Sequence, residues 1–258
     1  VLDRNFILKY VHKLRNNIQI IPFLSQRITG DFVFVTGADS SHFKSALQLL
    51  SSLEEFESES KKVFYDLGLT SGEKSILKNK FNSVEYQNFN YSLYPAYFNI
   101  KKNAGEYAWK PVIIWDELQK HKCKVVWMDA GNIVYNNLNH LKKIICSHGF
   151  YSPISAQTVE RWTHKRTLKY LNAPKSILAK RNLNGACVAF DYKNTRAREL
   201  AKAWCECALN RDCIAPAGSN RTNHRQDQAV LSVLAYKMNL TEKLPEFKYG
   251  FTTHNDIG

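Results

Sequence analysis

Val125-Val126-Trp127-Met128 runs straight into Asp129-Ala130-Gly131-Asn132. Four apolar residues ended by a carboxylate, a small residue and a glycine read as a strand buried on both faces, the type found in parallel sheets. Ligands of open α/β sheets bind outside the carboxyl ends of the strands, so Asp129 falls where chemistry is expected. Gly131 beside it allows close backbone approach. Taken alone, Asp129-Ala130-Gly131 reads as a β-turn. Other polar residues sit at similar boundaries: Thr36 and Asp39, Asp66, Asn132, then Asn184 and Gly185. Their shared position says more than any one of them. Neither GxGxxG nor GxxxxGK[ST] occurs, which removes Rossmann dehydrogenases and P-loop NTPases. The GxSxG elbow of α/β-hydrolases and the HExxH zinc motif are missing too.

The elements that must position these residues follow a regular order. Asp31 to Asp39 is a strand ending in a tight turn. A helix capped by Ser40 or Ser41 follows, burying Phe43, Ala46, Leu47, Leu49 and Leu50. Lys62 to Leu69 is a second strand, and Thr70-Ser71-Gly72-Glu73 is a capping box that opens a second helix. Ser83 to Tyr86 is a third strand. This βαβαβ order predicts a parallel sheet with right-handed crossovers. Beyond it we expect helices over 107–118, 138–146 and 159–171, the last one basic. Asn184 to Asp191 is a turn, then a strand, Asn194 caps a helix through Trp204, and Asp227 to Lys237 is an amphipathic helix. Residues 1–30, with Phe6, Ile7, Val11 and Leu14 at roughly helical spacing, predict a short stem or helical extension. Residues 31–258 predict a single α/β domain, with no linker dividing them.

With 36 Lys and Arg against 23 Asp and Glu, the formal charge is +13 and favours anionic partners: nucleotides, nucleic acid, acidic glycans or anionic lipid. Nucleic acid fits poorly, because the aromatics lie inside apolar runs rather than among exposed Arg and Lys. No apolar run approaches the roughly 20 residues of a membrane span. Six cysteines are too few for a disulfide scaffold at this length. Cys207 and Cys213 are close enough to pair in an oxidising compartment, and the spacing of Cys205, Cys207, Cys213 and His224 matches no common zinc site. Sequons at Asn90, Asn220 and Asn239 lean toward the secretory pathway, Golgi or ER lumen. The targeting segment is then expected outside this chain; a cytoplasmic location is the alternative.

Six stretches in order resemble one family: Phe34 to Asp39, Val63 to Leu69, Tyr107 to Pro111, Val126 to Gly131, Asn184 to Ala186, and His224 to Gln228. They are similar to GT-A-fold glycosyltransferases of the glycogenin and bacterial lipopolysaccharide galactosyltransferase type, and to a related, poorly characterised eukaryotic group. The resemblance implies a mostly parallel central sheet flanked by helices. It also implies transfer of a sugar from a nucleotide diphosphate, favouring a UDP-sugar and retention of configuration, to a hydroxyl on a glycan or glycoprotein. Thr36, Gly37, Ala38 and Asp39 would hold base and ribose, Lys110 would meet the diphosphate, and Asp129 with Gly131 would take the place of the DxD motif. Asn184, Asp227 and Gln228 would serve the reacting sugar, with Gly185, Ala186, His224 and Arg225 on the sugar or acceptor side. If configuration inverts instead, Asp227 would be the general base.

The third DxD position is Gly131 rather than a carboxylate. The resemblance therefore implies Mn²⁺ or Mg²⁺ held weakly or dispensable, with Asp129 as ligand and His254 as a poor counterpart of the family's late histidine. Lys110, Arg161, Lys165 or Arg225 could stabilise the leaving diphosphate in its stead. The competing expectation is a binding module that keeps a nucleotide or glycan site but has lost catalysis. Lys110 as an ordinary helix-surface charge is the bland alternative for that residue.

Overall fold

The computed structural model describes residues 31–242, 244–245 and 248–257; the expected stem over 1–30 lies outside them. Strand β1 (Phe32–Asp39) is flanked by β2 (Lys61–Gly68) and β4 (Lys124–Met128), both parallel to it. Beyond β2 lies β3 (Glu85–Asn88), also parallel. Beyond β4 the direction reverses: β9 (Cys187–Asp191) is antiparallel to it, and β6 (Phe150–Tyr151) is antiparallel to β9. The six-stranded order is β3-β2-β1-β4-β9-β6.

Strand alternation sorts the core into two faces. Val33, Val35, Val125, Trp127, Val188 and Phe190 pack under helices α3 (Trp109–His121), α7 (Thr195–Ala208) and α9 (Gln226–Lys237). Phe32, Phe34, Val126, Met128 and Ala189 face α1 (Phe43–Phe56) and α4 (Asn139–His148). Helix α2 (Ser71–Lys80) starts with the expected capping box: Thr70 Oγ1 accepts from Glu73 N at 3.3 Å, and Glu73 Oε2 accepts from Thr70 N at 2.8 Å.

Two helices differ from expectation. The basic stretch 159–171 is not one helix but two short ones, α5 (Val159–Trp162) and α6 (Lys165–Tyr170). His164 stops the first by capping the second, its side chain accepting from Arg166 N, while Thr163 stays extended. Helix α9 is not amphipathic. Residues 229–235 are all buried, because α7 lies on one side of it and β8 (Arg181–Leu183) on another.

The C-terminal segment returns to the sheet. Strand β10 (Phe251–Thr252) pairs antiparallel with β5 (Ile133–Val134), and Asn255 N donates to Gly131 O at 2.7 Å. Ile257 N then donates to Ser45 Oγ at 2.8 Å. The chain end is thereby folded over the turn that follows β4.

Candidate active site

The sheet changes direction of growth between β1 and β4, which makes their carboxyl ends a topological switch point. Asp39 ends β1, and Asp129 follows β4 directly. Antiparallel β9 starts where β4 ends, so Asp129 N donates to Ala186 O at 2.8 Å, and Asn132 Nδ2 donates to the same oxygen at 2.7 Å. This brings Asn184-Gly185-Ala186 beside Asp129 through the beginning of a strand rather than its end. A cleft of 820 Å³ opens over these residues.

At its floor lies Lys110, in the first turn of α3 and 3% exposed. Its ammonium is 2.9 Å from Asp129 Oδ1, 3.0 Å from Asp227 Oδ2 and 3.2 Å from Gly185 O. Gly185 O accepts a hydrogen bond from it, and the two carboxylates are ion-paired with it. Burial alone would lower its pKa; Asp129 and Asp227 outweigh that and hold it above the usual lysine value. The rings of Tyr107, Trp109 and Trp127 lie within 5.8–6.0 Å of the ammonium, adding their negative faces. Lys110 is thus no surface charge; it ties the end of β4 to the start of α9. A diphosphate taking a hydrogen bond from it would have to displace one of these three acceptors.

Asp227 sits in the first turn of α9, where a carboxylate meets the favourable end of the helix dipole. Burial pushes its pKa above the usual carboxylate value, Lys110 opposes that, and Asp129 adds to it. Asp129 Oδ1 also accepts from Trp127 Nε1 at 2.6 Å. Among the described residues its Oδ2 has no partner. At the β1 end, His42 Nδ1 stands 2.9 Å from Asp39 Oδ1. The hydrogen bond from His42 holds the Asp39 carboxyl down at about 2, against partial burial, and the same bond raises the His42 pKa.

The turn that delivers Tyr107 is strained. Residues 103–107 all have φ between 50° and 61°, a left-handed turn that costs every residue but Gly105. A Cβ on Gly105 would fall 2.2 Å from Phe98 O. Trp109 Nε1 donates to Ala104 O, and Gln226 Nε2 donates to Glu106 Oε2, pinning this turn to α3 and α9.

The cleft brings together Gly37, Ala38, Asp39, Lys110, Asp129, Gly131, Asn184, Gly185, Ala186, Arg225, Asp227, Gln228 and His254. Two expected site residues do not line it. Thr36 lies three residues before the end of β1 and is 1% exposed. His224 is fully buried: its Nδ1 accepts from His164 N at 3.2 Å, and Nε2 stands 2.8 Å from Ile214 O. Burial drives its pKa down to about 4, so it is a neutral structural histidine. Cys207 and Cys213 form a disulfide, leaving no thiolates there for zinc.

Asp256 also lines the cleft. A Cβ added to Gly131 would lie 2.5 Å from Asp256 Oδ1 and 2.6 Å from Oδ2. The carboxylate missing from the third motif position is thus matched in space by one from the chain end. Among the described residues no group of three or more His, Cys, Asp or Glu side chains is close enough to hold a metal ion. Two carboxylates, Asp129 and Asp256, flank Gly131, and this suits a hard divalent ion that completes its shell with phosphate oxygens and water.

The family described as "Protein of unknown function (DUF1647)" matches residues 7–115, less than half of the chain. No curated protein matches the sequence. Among solved structures, a galactosyltransferase, LgtC, in complex with donor and acceptor sugar analogs superposes with a TM-score of 0.50 at 16% identity, covering 78% of this chain and 70% of that one. The core-mannan synthase CmsA/Ktr4 from Aspergillus fumigatus, in a Mn/GDP form, gives a TM-score of 0.56 at 9% identity, covering 82% of this chain and 71% of that one. The fold is the GT-A fold of glycosyltransferases, as the sequence resemblance implied.

Proposed function

We propose that the cleft transfers a sugar from a nucleotide diphosphate donor, a UDP-sugar, to a hydroxyl of a glycan or glycoprotein. The observation that carries this reading is the Asp129–Lys110–Asp227 triad at the switch point of a GT-A sheet, with Asp39 on the neighbouring strand end. Ala38 and Asp39 would hold base and ribose. Asp129 and Asp256 would hold a Mn²⁺ or Mg²⁺ ion, which supplies charge neutralisation to the diphosphate when bound. Asn184, Gly185 and Gln228 would orient the sugar, and the acceptor would enter past Arg225.

In transfer the bond from the anomeric carbon to the diphosphate oxygen breaks, a bond to the acceptor oxygen forms, and the hydroxyl proton leaves with the diphosphate or a nearby base. Developing positive charge at the anomeric carbon is stabilised by a carboxylate held beside it. Asp227, fixed by Lys110, supplies one. Retention of configuration is part of the proposal; inversion would need Asp227 as general base instead. Asn90, Asn220 and Asn239 are all exposed, and the Cys207–Cys213 disulfide is formed. Both support a secretory location, Golgi or ER lumen.

The test is a thermal-shift and calorimetric screen of UDP, GDP and their sugars, with and without Mn²⁺. A ligand at 100 times its Kd adds about 2.7 kcal/mol of stability, which such a screen detects. No nucleotide shifting the transition in either condition would reject the reading. Gly131 favours a second one, a binding module without catalysis. Nucleotide-sugar binding with neither transfer nor hydrolysis would select it.

A further inference from the structure

Past Tyr107 the cleft wall becomes basic. The Arg221 guanidinium lies 5.1 Å from the Tyr107 ring centroid, and that ring's other cation is Lys110. Arg161 and Arg225 lie 4.7 Å and 4.2 Å from the ring of Trp162. Arg161 Nη1 donates to Thr222 O at 3.0 Å, and Arg225 N donates to Trp162 O at 3.0 Å, so α5 and the loop before α9 are stitched together. Trp162, Arg221 and Arg225 line the cleft itself.

Among the described residues no carboxylate pairs with any of these three arginines. Three like charges are therefore held together with only aromatic faces and a carbonyl to offset them. Their mutual repulsion joins burial in lowering the Arg225 pKa. Stacking uses the flat face of a guanidinium and leaves its in-plane N–H donors for an oxyanion, which the fork geometry matches. Contacts run from Asp129 to Lys110, from Lys110 to the Tyr107 ring, and from that ring to Arg221.

We propose that the Arg161–Arg221–Arg225 wall selects an anionic acceptor: a glycan carrying a carboxylate or sulfate close to the hydroxyl that is glycosylated. The proposal rests on the glycosyl-transfer reading of the same cleft. The net positive charge of the chain favours acidic glycans as ligands.

Calorimetry on the full chain tests this with three oligosaccharides of equal length: one bearing uronate, one sulfated and one neutral, with UDP titrated in parallel. An anionic oligosaccharide should bind at least about tenfold more tightly than the neutral one, an advantage that shrinks as salt rises. The uronate and sulfate arms identify which oxyanion is preferred. Arg221→Gln, at an exposed position that lines the cleft, should weaken the anionic oligosaccharide by about tenfold or more, the effect of losing a charge-assisted contact, and leave UDP affinity unchanged. Arg221→Lys should recover only part of the loss, because a point charge lacks the fork. Thermal unfolding like that of the parent shows that each variant is folded. Equal affinity for neutral and anionic oligosaccharides overturns the proposal. So does an acidic peptide binding more tightly than any glycan, or UDP weakened as much as the glycan by Arg221→Gln, which would give the wall to the donor. UDP failing to bind the parent chain would instead overturn the transferase reading beneath it.

Discussion

Lys110→Ala is the substitution with the sharpest consequence. Lys110 is 3% and Asp227 5% exposed, so the variant leaves a carboxylate buried with its counter-charge gone. Removing one partner of a buried pair costs about 3–5 kcal/mol. Asp129 adds little to that sum, because its side chain is 36% exposed and water screens it. The loss should depend on pH. Without Lys110 only the hydrogen bond from the Gln228 backbone opposes the upward push of burial and Asp129 on Asp227, so its folded pKa rises further above the usual carboxylate value. The folded variant then binds a proton that the unfolded chain has released, and its stability falls as pH rises through that folded pKa. The assay is urea unfolding of parent and variant at about pH 5 and about pH 7.5, with a constant m-value as the check on two-state behaviour. The deficit should be larger at the higher pH. Lys110→Met combined with Asp227→Asn should recover most of it, since a neutral pair leaves no buried charge. A Lys110→Ala midpoint within error of the parent at both pH values, or no recovery in the double variant, would refute the triad as the lock between β4 and α9.

Mn²⁺ should raise nucleotide diphosphate affinity in the parent. Asp256→Asn should remove that gain while sparing affinity in EDTA, measured by calorimetry; an unchanged Mn²⁺ response would take Asp256 out of the site. Transfer activity should be reduced, not abolished, by EDTA, and full loss restored by micromolar Mn²⁺ would mean a complete metal site. Protonated His42 adds positive charge near Asp129 and Asp256, and its pKa is raised, so nucleotide affinity should fall as pH rises through a midpoint above 6.5. His42→Gln should flatten that profile, and a profile unaltered by it would exclude the residue. His224, neutral in the fold with a pKa near 4 against 6.5 in the unfolded chain, contributes stability present above about pH 6.5 and lost toward pH 4, on the order of 3 kcal/mol. His224→Gln should shrink this acid loss in urea titrations, and an equal acid loss in the variant would be the contrary result.

What the sequence made legible were features carried by neighbours along the chain. The apolar runs before Asp39 and Asp129, and the capping box at Thr70, are local patterns, and each element formed where its pattern lies. Thr36 does not line the cleft, because β1 runs on to Asp39 and leaves Thr36 buried within the strand. His224 does not line the cleft, because Ile214 O and His164 N take both ring nitrogens and hold it in the core. The left-handed turn at 103–107 holds one glycine among five residues, so no local propensity predicts it; contacts from α3 and α9 impose it. Asp256 lies 125 positions beyond Gly131, and only the pairing of β10 with β5 reveals that they touch.

The layout of charge separates the two ends of the cleft. Asp39, Asp129 and Asp256 gather at the sheet end, while Lys110 is occupied by Asp129, Asp227 and Gly185 O. A diphosphate arriving there meets carboxylates first, and attraction from a fully partnered lysine is weak compensation. In the proposed reading that end would need an added cation, a divalent ion held by Asp129 and Asp256 or a protonated His42. The arginine wall is the reverse: its cations lack acidic partners among the described residues, and an oxyanion there needs no helper. One cleft thus carries two opposite demands, and they give opposite responses to salt and metal. Mn²⁺ should strengthen donor binding and leave a neutral acceptor unaffected, whereas salt should weaken an anionic acceptor first, because the wall is more exposed than the triad. A donor site whose affinity falls with salt as steeply as the acceptor's, and ignores Mn²⁺, would show that the arginines serve the diphosphate and that Asp129 and Asp256 only shape the turn.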